Sequence, residues 1–325
     1  VRCGLGTTRK RFASACTSWC DAASCGALIK GSARSQERVS RHFLLPEVRL
    51  EAFVVQGNGK FTSRKLAGFA AALRQNLIVV SRSIRAEQYF HFDLNAGCGY
   101  NEVAKCDGSP IMFRQLANEI EFLNAFSFCC EIDRQSASKL AELTRYDHRT
   151  FVVAGSNQRF VEMIPDIIRR FGCDPGEAFG SILIDPNDHN REAIPYKELR
   201  VLSARCPRLD IFFNWPYLAI KRVRGAANKG FIRNHEALRD VIDIDELPVI
   251  TGKRHLWIAE QVGNFVLVVG RNTAKINKDR SSTLEPWESV KGRYYRERCR
   301  LPADEADRLH KQRMEIVCGQ RRLFE

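Results

Sequence analysis

A short apolar segment that runs straight into a glycine turn, Tyr89-Phe-His-Phe-Asp-Leu-Asn-Ala-Gly-Cys-Gly-Tyr100, constrains this chain more than any other stretch. Phe90, Phe92 and Leu94 recur at every second position, the period of a strand with a buried face. Asn95, Gly97 and Gly99 then allow a sharp reversal and leave little side chain in the way. A ligand that must lie close to main-chain N–H groups needs such a turn. Many tight turns also carry Gly-x-Gly, so the remainder of the chain decides what this one is for.

Further apolar runs follow, separated by helical patterns. Leu66, Phe69, Ala70, Leu73, Leu77 and Val80 predict a helix over residues 63–88 that leads into the glycine-turn strand. Ser109 and Pro110 predict an N-cap and first turn for a helix whose buried stripe is Ile111, Met112, Leu116, Ile120 and Leu123. Strands are expected at 125–130, 151–154, 181–184 and 209–213, with helices at 134–143, 160–171 and 195–204 between them. Residues 255–259 and 265–269 read as an antiparallel hairpin, and 48–56 as an additional strand before the turn at 57–59. Short, nearly all-apolar strands alternating with helices imply an α/β domain: a mostly parallel, doubly wound sheet ending in a C-terminal antiparallel hairpin. Such sheets bind ligands outside the carboxyl ends of their strands, at the topological switch point.

Composition sets the surroundings of that domain. A hydrophobic content of 44% and charged content of 27% are those of a globular chain, and no apolar run has membrane-spanning length. No secretory signal pattern is seen, so no membrane association and a cytoplasmic location are expected. The net charge of +13 is concentrated at the ends. Residues 1–45 carry eight Lys/Arg against two acids and residues 271–325 fourteen against nine, so the middle is close to neutral. Basic ends suit a polyanion such as nucleic acid, or serve only as solvated tails. The expected organisation is a disordered Cys/Ser-rich tail over 1–45, the α/β domain over 46–272, and a charged extension over 273–325 with a helix at 303–317. Of twelve cysteines, Cys3, Cys16, Cys20 and Cys25 crowd the start without a second metal-ligand pair, so no metal site is assigned. Cys129 and Cys130 lie in an apolar run and are expected to be small core residues.

Every expected strand ends in a polar or special residue. The first ends in Asp93, Asn95, Gly97 and Gly99, and the second in Glu131 and Asp133. Ser156 and Asn157 end the third, Asp185 and Pro186 the fourth, Asn214 the fifth. A carboxylate at the end of the second strand can accept both hydrogen bonds of a ribose diol. Glu131 is the first choice for that role and Asp133 the second, with N-capping of the next helix as the competing use of Asp133.

Asp93-Leu-Asn-Ala-Gly-Cys-Gly99, Glu131-Ile-Asp133 and Ile184-Asp-Pro186 together resemble the ordered motifs of class I S-adenosylmethionine-dependent methyltransferases. With Gly108-Ser-Pro110, the 209–213 strand ending in Asn214 and the late hairpin, the chain more narrowly resembles the three-Cys-motif partner family. The likeness covers residues 60–272. It implies a Rossmann-like methyltransferase fold with a seventh strand pairing antiparallel at the sheet edge, and S-adenosylmethionine as cofactor. It also implies a small three-cysteine partner protein and, for Asn157, a contact with the adenine amino group. The pattern departs in three places, the first being Ser156-Asn157, where many relatives carry an acid for that amino group and Asn157 is left as the acceptor. Glu131 lies 38 residues after Asp93, longer than one strand–helix step of about 20 residues. Cys98 stands inside the turn, as a spacer or, less naturally, a nucleophile.

Amino-group methyltransferases acting on nucleic acid carry Asp/Asn-Pro-Pro-Tyr/Phe after the fourth strand. Its polar residue orients the amine and its aromatic ring stacks on the extruded base. Asp185-Pro-Asn-Asp188 has the right place without the aromatic; Asn214-Trp-Pro-Tyr217 has amide, proline and aromatic one strand later. Asp185 and Pro186 therefore lead, with Asn214 and Tyr217 second, and core packing is the competing use of Trp215 and Tyr217. Lys221, Arg222, Arg224, Lys229 and Arg233 follow on the same edge, as phosphate contacts or as a solvated loop. The expected activity is methyl transfer to an amino group in nucleic acid. Its rivals are a catalytically degraded nucleotide-binding module acting with a partner protein, possible in defence, and an NAD-dependent oxidoreductase. The last is disfavoured by Gly97-Cys-Gly99-Tyr-Asn-Glu102, which lacks the third glycine of the dinucleotide fingerprint.

Overall fold

Apolar strands joined through helices must bury both faces, and this chain does so in a nine-stranded sheet. The computed structural model describes residues 28–29, 62–102, 104–186, 194–217, 243–259, 265–272 and 284–301, then 305, 308–313 and 315. The strand expected at 48–56, the turns at 57–59 and 261–264, residues 187–188, the basic stretch 221–233 and the N-terminal cysteines lie outside them.

The first half comprises β1 (Leu28–Ile29), α1 (Thr62–Ile78), β2 (Tyr89–Asp93), β3 (Tyr100–Asn101), β4 (Cys106–Asp107), α2 (Ser109–Glu119), β5 (Ala125–Glu131) and α3 (Arg134–Leu143). The second comprises β6 (Thr150–Ala154), α4 (Asn157–Arg170), β7 (Gly180–Ile184), α5 (Tyr196–Arg205), β8 (Leu209–Trp215), α6 (Leu247–Thr251), β9 (His255–Ile258), β10 (Val266–Arg271), β11 (Glu285–Pro286) and α7 (Val290–Arg300). Residues 305, 308–313 and 315 are helical, within the span expected at 303–317.

The sheet order is β1-β6-β5-β2-β7-β8-β10-β9-β11. Strands β6, β5, β2, β7 and β8 are parallel, and β10, β9 and β11 continue the sheet by antiparallel pairings. This is the expected mixed α/β sheet with one correction: β10 is not at the edge but lies between β8 and β9. Helices α1, α2 and α3 cover one face and α4 and α5 the other, through separate apolar clusters. Phe90 and Phe92 project into the α4–α5 side with Phe128, Phe160 and Ile164, whereas Tyr89 faces Phe69, Leu73 and Phe113 on the α1–α2 side. Cys129 and Cys130 are both fully buried in the core, as expected. No described helix is long and apolar enough to cross a membrane.

Three local expectations are corrected. Helix α1 does not run to residue 88: it ends at Ile78, continues as a π-helical stretch over Val79–Ile84, and stops at Arg85 in the left-handed region. Gly108, not Ser109, is the N-cap of α2. The expected stripe of α2 is met in part: Ile120 is buried and Met112 and Leu116 pack partly buried on the core, but Phe113 and Ala117 are the most buried, and Leu123 lies beyond the helix, 71% exposed. The centre of the stripe moves because Phe113 stacks on His91 of β2, ring centroids 4.3 Å apart. One residue of shift turns a helix by only about 100°, which a broad apolar face tolerates.

The α1–α2 face of β2 carries Tyr89, His91 and Asp93, all fully buried. His91 Nδ1 shares a 2.8 Å hydrogen bond with Ser181 Oγ, and burial pushes its pKa down to about 3, assisted by the Arg114 charge. Tyr89 donates to Asn76 Oδ1 at 2.6 Å, and the Asn76 amide donates to Asp210, which is also ion-paired with Arg271 at 2.6 Å. Polar groups in a central strand are tolerable only when partnered in this way.

Candidate functional site

The chain leaves β2 toward β5 and β6, then returns to β7 and β8 on the other side, so the switch point lies between the carboxyl ends of β2 and β7. At that point Asn95 Oδ1 accepts a 3.2 Å hydrogen bond from the Asp185 backbone N–H. The glycine turn and the Ile184-Asp-Pro186 motif, far apart in sequence, are thus in direct contact.

The turn is held from below by Asp93. Its carboxylate accepts from the Asn95 N–H at 3.1 Å and from the Ser109 hydroxyl at 2.6 Å, which explains why Ser109 does not cap α2. Gly97 and Gly99 have φ of 62° and 84°, and a Cβ on Gly99 would lie 2.7 Å from Leu140 Cδ1. Both glycines thus hold a left-handed backbone that strains other residues, and a Cβ on the second would also press on the tips of Leu140 and Leu143. The extra length before Glu131 includes the hairpin β3–β4, which closes on the turn through a 2.8 Å bond from Gly108 N–H to Gly99 O. Cys98 donates its thiol to Tyr100 O at 3.0 Å, in keeping with a spacer.

Burial raises the Asp93 carboxyl to about 7, opposed by its bonds to Ser109 and Asn95 and reinforced by the Asp185 and Glu131 charges. A carboxyl raised in the folded state contributes stability below its unfolded pKa of about 3.9 and loses it as pH rises through about 7. Asp93→Asn escapes that loss. Its stability relative to the parent, from urea unfolding, is expected to rise between about pH 4 and pH 7 and then level off. A difference that stays flat across this range would contradict the assignment.

Glu131, buried at the end of β5, accepts from the Gly97 N–H at 2.8 Å and from the Asp133 N–H at 2.9 Å. Ala96 N–H is likewise engaged, by Cys130 O at 3.1 Å. The amides of Asn95, Ala96 and Gly97 are thus occupied within the protein, which modifies the expectation that they meet a ligand. Such an edge is poorly made for a pyrophosphate, which needs those donors. Each Glu131 oxygen keeps acceptor capacity for a ribose hydroxyl. Asp133 caps α3: it accepts from Ser136 Oγ at 2.7 Å and from the Ser136 and Gln135 amides, and these bonds hold its carboxyl below the usual range.

Asp185 is paired with a residue that the sequence reading did not single out. Lys65, in the first turns of α1, places its ammonium 2.7 and 2.9 Å from the two Asp185 oxygens and 4.6 Å from the centre of the Phe265 ring. A lone lysine on an amphipathic helix gives no sequence signal of this kind. Pro186 is buried behind Asp185. Asn157 is the buried first residue of α4, at the end of β6. Asn214 is not in a loop: β8 runs on to Trp215, and Asn214 is 2% exposed and paired with Leu267. Trp215 and Tyr217 are both packed in the α4–α5 core cluster, the competing use noted above. The structure thus brings Asp93, Asn95, Gly97, Glu131 and Asp185 together and sets Asn214 and Tyr217 within the packed layers.

No protein-family model and no curated protein sequence matches the chain. Several solved structures are similar in fold at low identity. A Legionella pneumophila protein of the family termed DUF519 is 12% identical, with a TM-score of 0.37, covering 64% of this chain and 86% of its own. A methyltransferase described as putative from Thermobifida fusca is 14% identical, with a TM-score of 0.36 and coverages of 65% and 82%. The bifunctional kinase-methyltransferase WbdD is 12% identical at a TM-score of 0.39, and this chain spans 42% of its length.

Proposed function

We propose that this chain is an S-adenosylmethionine-dependent methyltransferase acting on an amino group in nucleic acid. The observation that carries the reading is the contact at the switch point, where Asn95 of the glycine turn meets the Asp185 backbone beside Glu131. The cofactor supplies, when bound, a methyl group already activated on a sulfonium. The chain's own task is alignment and exclusion of water. Glu131 and the open side of Gly97 are the cofactor contacts, and Asp185 is the acceptor that orients the target amine, with Asn214 as the alternative. The basic ends supply the attraction to a polyanion. The three-Cys-motif partner resemblance adds a small three-cysteine protein as partner.

Titration calorimetry of the full chain with S-adenosylmethionine tests the reading; absence of heat at high micromolar protein would refute it. Glu131→Gln retains only one acceptor for two amides, and its affinity is expected to fall about ten- to a hundredfold. Unchanged affinity would remove Glu131 from the site. Incorporation of labelled methyl into DNA, RNA and protein then identifies the acceptor class. One observation favours the rival reading of a binding module without catalysis: Trp215 and Tyr217 are packed in the core and not presented for stacking. Cofactor binding without incorporation into any acceptor would select that reading.

A further inference from the structure

We infer that Lys65 is a positioning residue for Asp185, coupling the helix that precedes the sheet to the end of β7. The inference rests, for its effect on methyl transfer, on the function proposed above.

Asp185 stands just past the last residue of β7, where a loop side chain would ordinarily sample several rotamers. It is instead fixed at two points. Its backbone N–H is bonded to Asn95 Oδ1, and both carboxylate oxygens are bonded to the Lys65 ammonium at 2.7 and 2.9 Å. The side chains of Lys65 and Asp185 are only 10% and 12% exposed, so water screens the pair weakly. Lys65 is itself anchored. Phe69, one turn further along α1, is fully buried against Phe212 of β8, ring centroids 5.5 Å apart, and Leu73 and Leu77 follow in the same core. The Phe265 ring borders the ammonium on another side. An ammonium held by a buried helix, a carboxylate and an aromatic face is a rigid support rather than a passing surface contact.

The chemistry follows from that geometry. Bonded to Lys65, Asp185 keeps free lone pairs on both oxygens for a target amine, while the lysine limits where those lone pairs point. A displacement of about 1 Å in such a group costs about a hundredfold in rate.

The test uses the full chain as wild type, Lys65→Met, Lys65→Arg, Asp185→Ala and the Lys65→Met/Asp185→Ala double variant. Exchange of the Asp185 amide proton, followed by NMR, reads the positioning without cofactor or acceptor. Lys65→Met is expected to speed that exchange about tenfold while Lys65→Arg leaves it near wild type. Equal exchange in wild type and Lys65→Met would overturn the inference. On the nucleic acid that accepts methyl, Lys65→Met is expected to lower turnover about a hundredfold at unchanged S-adenosylmethionine affinity. In the Asp185→Ala background the same substitution should add less than about twofold. A full additional loss there, or a loss of cofactor affinity, would show Lys65 acting directly and overturn the inference. If the wild type binds no S-adenosylmethionine, the methyltransferase reading falls and the amide exchange still decides the role of Lys65.

Discussion

Gly180→Ala is expected to yield almost no folded protein. Gly180 opens β7, hydrogen-bonded to β2 on one side and β8 on the other. A Cβ at this position would lie 2.0 Å from the carbonyl oxygen of Phe90 and 2.8 Å from Leu209 Cδ2. The first contact is with backbone, so no rotamer change relieves it, and β2 and β7 must part. These are the two central parallel strands, whose far ends carry Asp93 and lead into Asp185. Overpacking ordinarily costs about 1–3 kcal/mol, and a backbone collision in a central seam exceeds that. Against a domain stability of about 5–15 kcal/mol, such a loss leaves little native population. Soluble yield and thermal unfolding by circular dichroism measure it. A Gly180→Ala variant melting within a few degrees of the parent would show that the seam is more pliant than the packing implies.

The second large effect concerns catalysis. Asp185→Ala is expected to reduce methyl incorporation about a thousandfold while leaving S-adenosylmethionine affinity nearly unchanged, because the carboxylate removed faces the acceptor in the proposed arrangement. Asn214→Ala is expected to keep activity within about tenfold of the parent. Asn214 lies inside β8, 2% exposed, whereas Asp185 stands at the strand end beside the glycine turn. If Asn214→Ala instead abolishes transfer and Asp185→Ala does not, the end of β8 is the catalytic one.

The sheet was largely legible because its strands are covered on both faces. Nearly continuous apolar runs such as Phe126–Cys130, broken by Ser127 alone, or Ile182–Ile184, bounded by polar residues, have few other readings. The polar termini were legible too, since a doubly wound sheet collects its strand ends on one edge. What was hidden depended on tertiary neighbours. His91 and Asp93 look like surface residues of an alternating strand, yet they are buried because Ser181 and Ser109 meet them from other elements. Lys65 looks like an ordinary helical lysine until α1 is laid over the end of β7. The centre of the α2 stripe was not legible, because Met112 and Leu116 are as apolar as Phe113 and only stacking on His91 makes Phe113 the most buried. Asn214 was placed after the strand because Asn214-Trp-Pro-Tyr217 resembles the catalytic tetrapeptide; the strand in fact persists to Trp215, its last residues paired with β10.

The place of β10 between β8 and β9 has a consequence for synthesis. A ribosome delivers β9 before the strand that joins it to the rest of the sheet. Until residues 266–271 have emerged, β8 presents one side of its backbone unpaired, along a segment as apolar as Leu209–Trp215. An open edge of that composition invites pairing with any other strand nearby. The nascent chain is therefore most vulnerable to aggregation over the stretch of translation between these two strands, and a truncation ending before residue 266 would make that vulnerability permanent.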